Sequence, residues 1–492
     1  MKIAILTDLH YGDNTVGDRR STLADILLLR AVHRLNRFIR PDVTVVLGDV
    51  LDCGDGADAP SRRIHLRGIL EKLQCPWIIV PGNHDGSPEA FYRDFPRPAD
   101  MADLGGVRFL PFIDRDEPGY NASRLPSDIA RFDAARQNYA GPIVALQHVC
   151  LAPPARANAP YNFLNAPDII AAMHRNNVAL SLSGHHHPGS ASIEDGSTIF
   201  VTAPGLCESP FAFLVISLEQ GRVMTERHEL AMPAALELVD WHVHTPMAYC
   251  SENMSVPRAI ELAHAFGLAG IGFAEHSGQL YYRQELYWNG TCLREGLAAA
   301  HATENRMPVY RDMMRSAVAP FVRVGLETDT DFQGRLVLRD DDRRQADYLI
   351  GSLHDLPGLR DPACSPARLH DEFLFLLQGM LSQGVTLVAH PFRLFRRLNR
   401  PVPESLFAPV VDLLRRHRAA AEVNCHTDEP PAEFFRQCLA AGVKLAFGSD
   451  AHNLCEVGEF APHLRLLREA GFDGDTRDVL LDFRQVGSRQ NL

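Results

Sequence analysis

The chain has 492 residues, of which 46% are hydrophobic and 22% charged, with 49 basic against 61 acidic side chains for a net charge of −12. This make-up excludes disorder and fibrous repeats, predicts two or three domains at roughly 150 residues each, and disfavours a strong nucleic-acid duplex binder. The 22 histidines stand out, because imidazole is the commonest metal ligand and titrates near neutrality.

In chain order, the first half alternates β-branched runs with helical patterns: strands at residues 3–6, 43–47 and 77–80, and helices at about 22–38 and 63–73. Residues 95–126, rich in Pro, Gly and Asp, read as irregular surface or cap. Strands return at residues 143–146, 179–182, 199–202 and 213–218 and suggest a second sheet. Small residues and a proline between Glu229 and Leu236 mark a boundary, giving domains at 1–232 and 236–492. The second half then cycles strand and helix, with strands at 236–240, 270–274, 322–326, 348–351, 386–389, 421–423 and 444–447. Seven parallel βα units closing into a barrel follow. The ten cysteines form no CxxC pair and read as thiols of a reducing compartment, with cytoplasm expected. Neither a secretory leader nor about 18 successive apolar residues is visible, so no membrane association is expected.

Polar clusters fall at the carboxyl ends of the apolar strands, where α/β sheets carry ligands. In the first half these are Asp8 and His10, then Gly48-Asp49-Val50-Leu51-Asp52, Gly82-Asn83-His84-Asp85, His148, and Gly184-His185-His186-His187. In an extended segment, residues two apart point to one side, so Asp8 and His10 can reach one ion. The order D-x-H, G-D-x-x-D, G-N-H-D, H, G-H-x-H resembles the calcineurin-like metallophosphoesterase family over about residues 1–230. The resemblance implies a sandwich of two mixed sheets flanked by helices. It also implies one cation held by Asp8, His10, Asp49 and His187 and a second by Asp49, Asn83, His148 and His185, with Asp49 bridging. His84 would protonate or steady the leaving oxygen and Asp85 would orient it. His186 faces away on this reading.

In the second half, His242 and His244 follow the first barrel strand, Cys250 lies six further on, and Glu275-His276, Glu327, His354, His390-Pro391 and Asp450-Ala451-His452 end later strands. A parallel barrel gathers such ends at one mouth. This set resembles the PHP (polymerase and histidinol phosphatase) family over about residues 236–492. The resemblance implies a distorted seven-stranded barrel and up to three cations on His242, His244, Cys250, His276, Glu327, His354, His390, Asp450 and His452, with Glu327 bridging. A thiolate at Cys250 favours zinc over manganese there; manganese, zinc or iron are the metals expected overall. Glu275, Glu422 and Asn424 are expected to steady ligand imidazoles. Tyr281, Tyr282, Arg283, Tyr287, Trp288 and Arg294 form either a recognition surface or a lid packed on the barrel. Arg393, Arg396, Arg397 and Arg400 form either a phosphate site or a solvated helix face.

The expected function is a bifunctional phosphoesterase acting on small phosphate esters such as nucleotides: diesters at the first site, monoesters at the second. A nuclease of single strands, or a single activity beside a scaffolding or sensing barrel, are the alternatives.

Overall fold

The computed structural model describes residues 1–219, 222–298, 301–359, 361, 363–427 and 430–486. The chain divides into two compact units, Met1–Ala231 and Met232–Leu492. Among the described residues no helix is long and apolar enough to cross a membrane.

The first unit contains strands β1 (Lys2–Leu6), β2 (Val43–Val46), β3 (Trp77–Ile79), β4 (Ala102–Leu104), β5 (Val107–Pro111), β6 (Arg115–Glu117), β7 (Asn121–Ser123), β8 (Ile143–Leu146), β9 (Val178–Ser183), β10 (Ile193–Asp195), β11 (Thr198–Thr202), β12 (Ala212–Glu219) and β13 (Arg222–Glu229). One sheet runs β13-β12-β1-β2-β3 and the other β10-β11-β9-β8-β5-β4, each mixing parallel and antiparallel pairs. Alternate residues of β1 and β2, Ile3, Ile5, Val43 and Val45, meet Phe109, Val144, Leu180 and Val201 of the second sheet, so the two sheets pack face to face. The first helix, Ala24–Arg34, with a proline-free apolar stripe including Leu27, Leu28 and Ala31, is buried along one side.

The segment expected to be irregular, residues 95–126, holds four strands instead. The text Val107-Arg108-Phe109-Leu110 alternates well enough to form a strand, and Val107, Phe109 and Leu110 are buried. Flanking Pro and Gly residues that punctuate β4–β7 masked it. The hairpin β6–β7 stands apart as a two-stranded sheet.

The second unit contains β14 (Val239–Val243), β15 (Gly270–His276), β16 (Val322–Asp329), β17 (Tyr348–Ser352), β18 (Leu387–Val388), β19 (Ala420–Asn424) and β20 (Leu445–Gly448), seven parallel strands in sequence order. The first and last meet through a bridge between Val243 and Ala451 and through Asp450 N–H donating to the His242 carbonyl at 2.7 Å, so the barrel nearly closes. Its interior is packed by Trp241, Tyr348, Ile350, Leu387 and Ala446, leaving polar chemistry to the carboxyl rim. The first barrel strand starts later than residue 236, because Ala234–Leu236 is a short helical turn ended by Glu237 at φ 48°. That later start puts His242 inside the strand.

Two candidate metal centres

In the first unit the connections after β1, β2, β3, β8 and β9 converge. The backbone has to turn sharply at each, and Asp8, His10, Asp49 and His185 all adopt left-handed φ between 48° and 67°. Non-glycine residues rarely sit there, and such strain gathers at functional sites. Two glycines let the loops close on one another: a Cβ on Gly82 would fall 2.2 Å from Asp49 Oδ1, and one on Gly48 2.5 Å from the Gly82 nitrogen.

The donors meet as two overlapping groups. His10 Nε2 and His187 Nε2 are 3.1 Å apart, and the Asp8 Oδ1 atom lies 3.8 and 3.5 Å from them. His148 Nε2 lies 3.1 Å from both Asn83 Oδ1 and His185 Nδ1. Asp49 Oδ2 stands between the groups, 3.6 Å from His10 and 3.3 Å from His148. All seven candidate ligands therefore come together, with Asp49 in the shared position. Outer partners fix which imidazole nitrogen faces inward: His148 Nδ1–H donates to the Leu47 carbonyl at 2.7 Å, His185 Nε2–H to the Tyr120 carbonyl at 3.0 Å, and His187 Nδ1–H to Glu208 Oε1 at 2.6 Å.

His84 borders this cluster, its ring 4.8 Å from that of His10. Asp85 does not orient it. His84 Nδ1–H donates to the Asp52 carbonyl at 2.9 Å, while the buried Asp85 carboxyl accepts from Leu51 N–H and Gly82 N–H and so ties the two ligand loops together. Burial and the neighbouring Asp49 carboxylate push Asp85 up to about 7. Sequence reasoning also passed over Arg19, which reaches His10 Nδ1 and Asp52, and Glu208. Asp52 was visible in the G-D-x-x-D text but had no role there.

In the second unit Glu327, at the end of β16, is the hub. Its carboxylate lies within 2.6 to 3.7 Å of His242, His244, His276, His354 and His390. Asp450 Oδ1 stands 3.0 Å from His244 Nε2 and 3.5 Å from His242 Nε2. The His452 ring lies 4.2 Å from that of His244, and Cys250 Sγ is 3.8 Å from His276 Nε2. All nine candidate ligands thus face one mouth, His390 and Asp450 again at positive φ. Burial, eased by Gln279, pushes the Cys250 thiol up to about 12. Two of the three groups expected to steady imidazoles lie beside them: Glu422 accepts from His242 Nδ1–H at 2.7 Å, and Glu275 lies 3.5 Å from His244 Nδ1, while the Asn424 amide donates to Glu422 and Asp450 instead. Asp329, missed in the sequence, does the same for His354 at 2.9 Å. It lies two residues past Glu327 on a strand, hence on the same face, and that spacing was its signal.

The basic run divides. Arg393 is buried and donates to Asp450 and Asn424, Arg400 donates to the Leu359 carbonyl, and Arg397 is exposed at the mouth. The aromatics divide too: Tyr281 and Tyr282 are buried with hydroxyls on Asp342 and Gly296, Arg283 pairs with Glu304, and Arg294 bonds Asn289. Tyr287 and Trp288 line the cavity, about 330 Å³ in volume, with His276, His354 and His452.

Both donor sets fit divalent cations. Asp8 Oδ1 and His242 Nε2 are buried without hydrogen-bond partners among the described residues, a costly arrangement unless a cation completes it. Each cage also attracts positive charge. Although burial opposes it, Asp49 and Asp8 lift His148 to about 10, and Asp8 lifts His187 to about 11. In the barrel, Asp450 and Glu275 lift His244 to about 9 against the same burial cost.

These features define two candidate divalent-cation centres built from carboxylates and imidazoles. Residues 1–189 match the family model described as calcineurin-like phosphoesterase, and this stretch is a calcineurin-like metallophosphoesterase domain. Two curated relatives are each named "Probable phosphatase". The one from Acetivibrio thermocellus is 27% identical over 146 residues, 28% of this chain and 55% of the relative, and the one from Caldicellulosiruptor bescii is 25% identical over 245 residues, 48% of this chain and 88% of the relative. The chain therefore spans about half the length of the first. Among solved structures, a dimetal phosphatase from Danio rerio is similar at 17% identity and a TM-score of 0.41, covering 46% of this chain and 96% of that one.

Proposed function

We propose that the protein is a bifunctional phosphoesterase: the N-terminal cage holds two cations and hydrolyses phosphodiesters, and the barrel is a PHP domain that holds up to three and hydrolyses phosphomonoesters of nucleotides or other small molecules. The observation that carries this reading is the presence of two separate donor cages, each organised around one buried carboxylate that several imidazoles share. When bound, paired divalent ions supply a water of lowered pKa and offset charge on the phosphoryl oxygens.

The residues of the chain do the rest. His84, its Nδ1 proton committed to the Asp52 carbonyl, holds its other nitrogen for the leaving oxygen. Asp85 and the glycine turns keep Asp49 and Asn83 in register. At the barrel mouth, Arg397 offers a guanidinium to a phosphate, while Arg393 holds Asp450 in place. A cavity of about 330 Å³ suits a small ester. The dispersal of the arginine run leaves the nuclease reading without its main support.

The test is metal analysis of the purified protein together with rates on diester and monoester panels. Asp49→Asn is expected to abolish diester turnover selectively and Glu327→Gln monoester turnover selectively. Unchanged rates in both variants would overturn both assignments.

A further inference from the structure

The hairpin β6–β7 contributes no candidate ligand to the N-terminal cage, yet it is built against it. At its turn, Gly119 and Tyr120 both adopt positive φ, 75° and 62°, a conformation in which an aromatic residue is an outlier and where glycine or asparagine would fit more cheaply. The Tyr120 carbonyl accepts from His185 Nε2–H at 3.0 Å, which anchors the turn to a candidate ligand. Its side chain, however, is 63% exposed. Beside it stands Tyr161, whose ring packs edge-on against that of His185 at 4.7 Å and lies 6.1 Å from the ring of Tyr120 at 76°.

The pair is held rigidly. Ala122 N–H donates to the Asn162 carbonyl at 3.2 Å, Leu164 N–H to the Ala122 carbonyl at 2.8 Å, and Asn162 N–H to Asn121 Oδ1 at 3.1 Å. The hairpin and the segment carrying Tyr161 are thus sewn into one piece. An exposed ring at Tyr120 and a half-buried one at Tyr161, both on a fixed backbone beside a cation cage, need little ordering to receive a flat ligand.

We propose that Tyr120 and Tyr161 form an aromatic rim that selects phosphodiesters whose retained ester group, the one that stays on phosphorus after hydrolysis, carries a planar ring, as a nucleoside does, over those that retain an aliphatic alcohol. This rests on the diester reading of the N-terminal site and adds the residues that would set its specificity. Stacking tolerates any flat base, so the preference is for a ring rather than a particular base.

The test compares two diesters with the same leaving group, thymidine 5′-(p-nitrophenyl phosphate) and ethyl p-nitrophenyl phosphate. It is paired with calorimetric binding of thymidine 5′-monophosphate and ethyl phosphate to the full chain carrying Glu327→Gln, which keeps the barrel from consuming them. Stacking by one ring predicts a preference of roughly 10-fold for the thymidine ester in kcat/KM. Tyr120→Gly, which suits the positive φ, and Tyr161→Leu should each remove most of it and weaken thymidine monophosphate binding in parallel. Ethyl ligands should stay within about twofold, and Tyr120→Phe should keep the preference. Equal effects on both ligands, or none on either, would overturn the rim. If no diester is turned over but binding still prefers the ring in a Tyr120-dependent way, the rim stands and the diesterase reading fails.

Discussion

The two cages solve the same problem with different scaffolds. In the N-terminal unit most ligands sit on loops just beyond strand ends, bent through left-handed φ at Asp8, His10, Asp49 and His185, and two of the imidazoles are oriented by main-chain carbonyls, those of Leu47 and Tyr120. In the barrel, His242, His276 and Glu327 lie on the strands themselves, and three imidazoles have carboxylate partners, Glu422, Asp329 and Glu275, while His452 Nδ1–H donates to the Asp450 main-chain carbonyl at 2.7 Å. A carbonyl orients an imidazole without adding charge, whereas a carboxylate also makes it more basic and binds it harder to a cation. The barrel is therefore expected to hold its metal more firmly, and the loop-borne cage to exchange it more readily.

The largest effects should come from the central carboxylates. Glu327 touches five imidazoles, and Asp49 stands between two donor groups. Removing either charge should cost more metal affinity than the about 10–100-fold typical of outer partners. Elemental analysis after gel filtration is the check: Glu327→Gln should empty the barrel and spare the N-terminal cage, and Asp49→Asn the reverse. Simultaneous loss from both cages in either variant would break the independence on which the comparison rests.

Next come the orienting groups. Glu422 is fully buried, and besides receiving His242 it accepts from His390 N–H and Asn424. Glu208 is partly exposed and serves His187. Glu422→Gln should lower barrel affinity toward the upper end of about 10–100-fold, and Glu208→Gln should lower N-terminal affinity toward the lower end, both read by chelator competition. A larger loss from Glu208→Gln would reverse the order argued here.

The same contrast explains what could be read from the sequence. Ligands that directly follow apolar strands, such as Asp8, His10 and His244, were legible because strand ends in α/β sheets gather at one side. Glu208, Arg19 and Tyr120 were not, since each reaches the cage across space from a loop whose path the text does not fix. Asp85 shows the opposite failure: adjacency to His84 suggested that it orients His84, yet its carboxyl turns to backbone N–H groups of two loops. Strands β4 to β7 were hidden by the turn residues that separate them, and the hairpin they include carries Tyr120. The left-handed φ of the ligands leaves no trace in composition, because Asp and His occur in every kind of turn.

Acid should loosen the N-terminal cage by competition. An imidazole must be neutral to coordinate, and His148 and His187 are raised to about 10 and 11, burial being outweighed by nearby carboxylates. At neutral pH, below both values, these two rings hold protons that a cation has to displace. Metal affinity should thus rise with pH by about tenfold per unit for each proton released, whereas His185, held near 4 by burial and His148, contributes none above pH 5. Calorimetry in buffers of differing ionisation enthalpy counts the protons; a count of zero at pH 7 would sink the argument.

The smallest expected effect falls on metal choice at Cys250. Its Sγ lies 3.8 Å from His276 Nε2 at the edge of the barrel cage, and Gln279 Nε2–H donates to it at 3.9 Å. Burial holds the thiol near 12, so the sulfur enters a coordination sphere only when a cation displaces its proton, which soft zinc does more effectively than manganese. Cys250→Ser replaces sulfur with a harder oxygen at the same place. It should shift zinc-over-manganese selectivity of the barrel toward manganese several-fold while leaving total occupancy and the N-terminal cage unchanged, as measured by elemental analysis after equilibration with both metals. A selectivity identical to that of the parent chain would place Cys250 outside the cage and leave eight side chains to do the work.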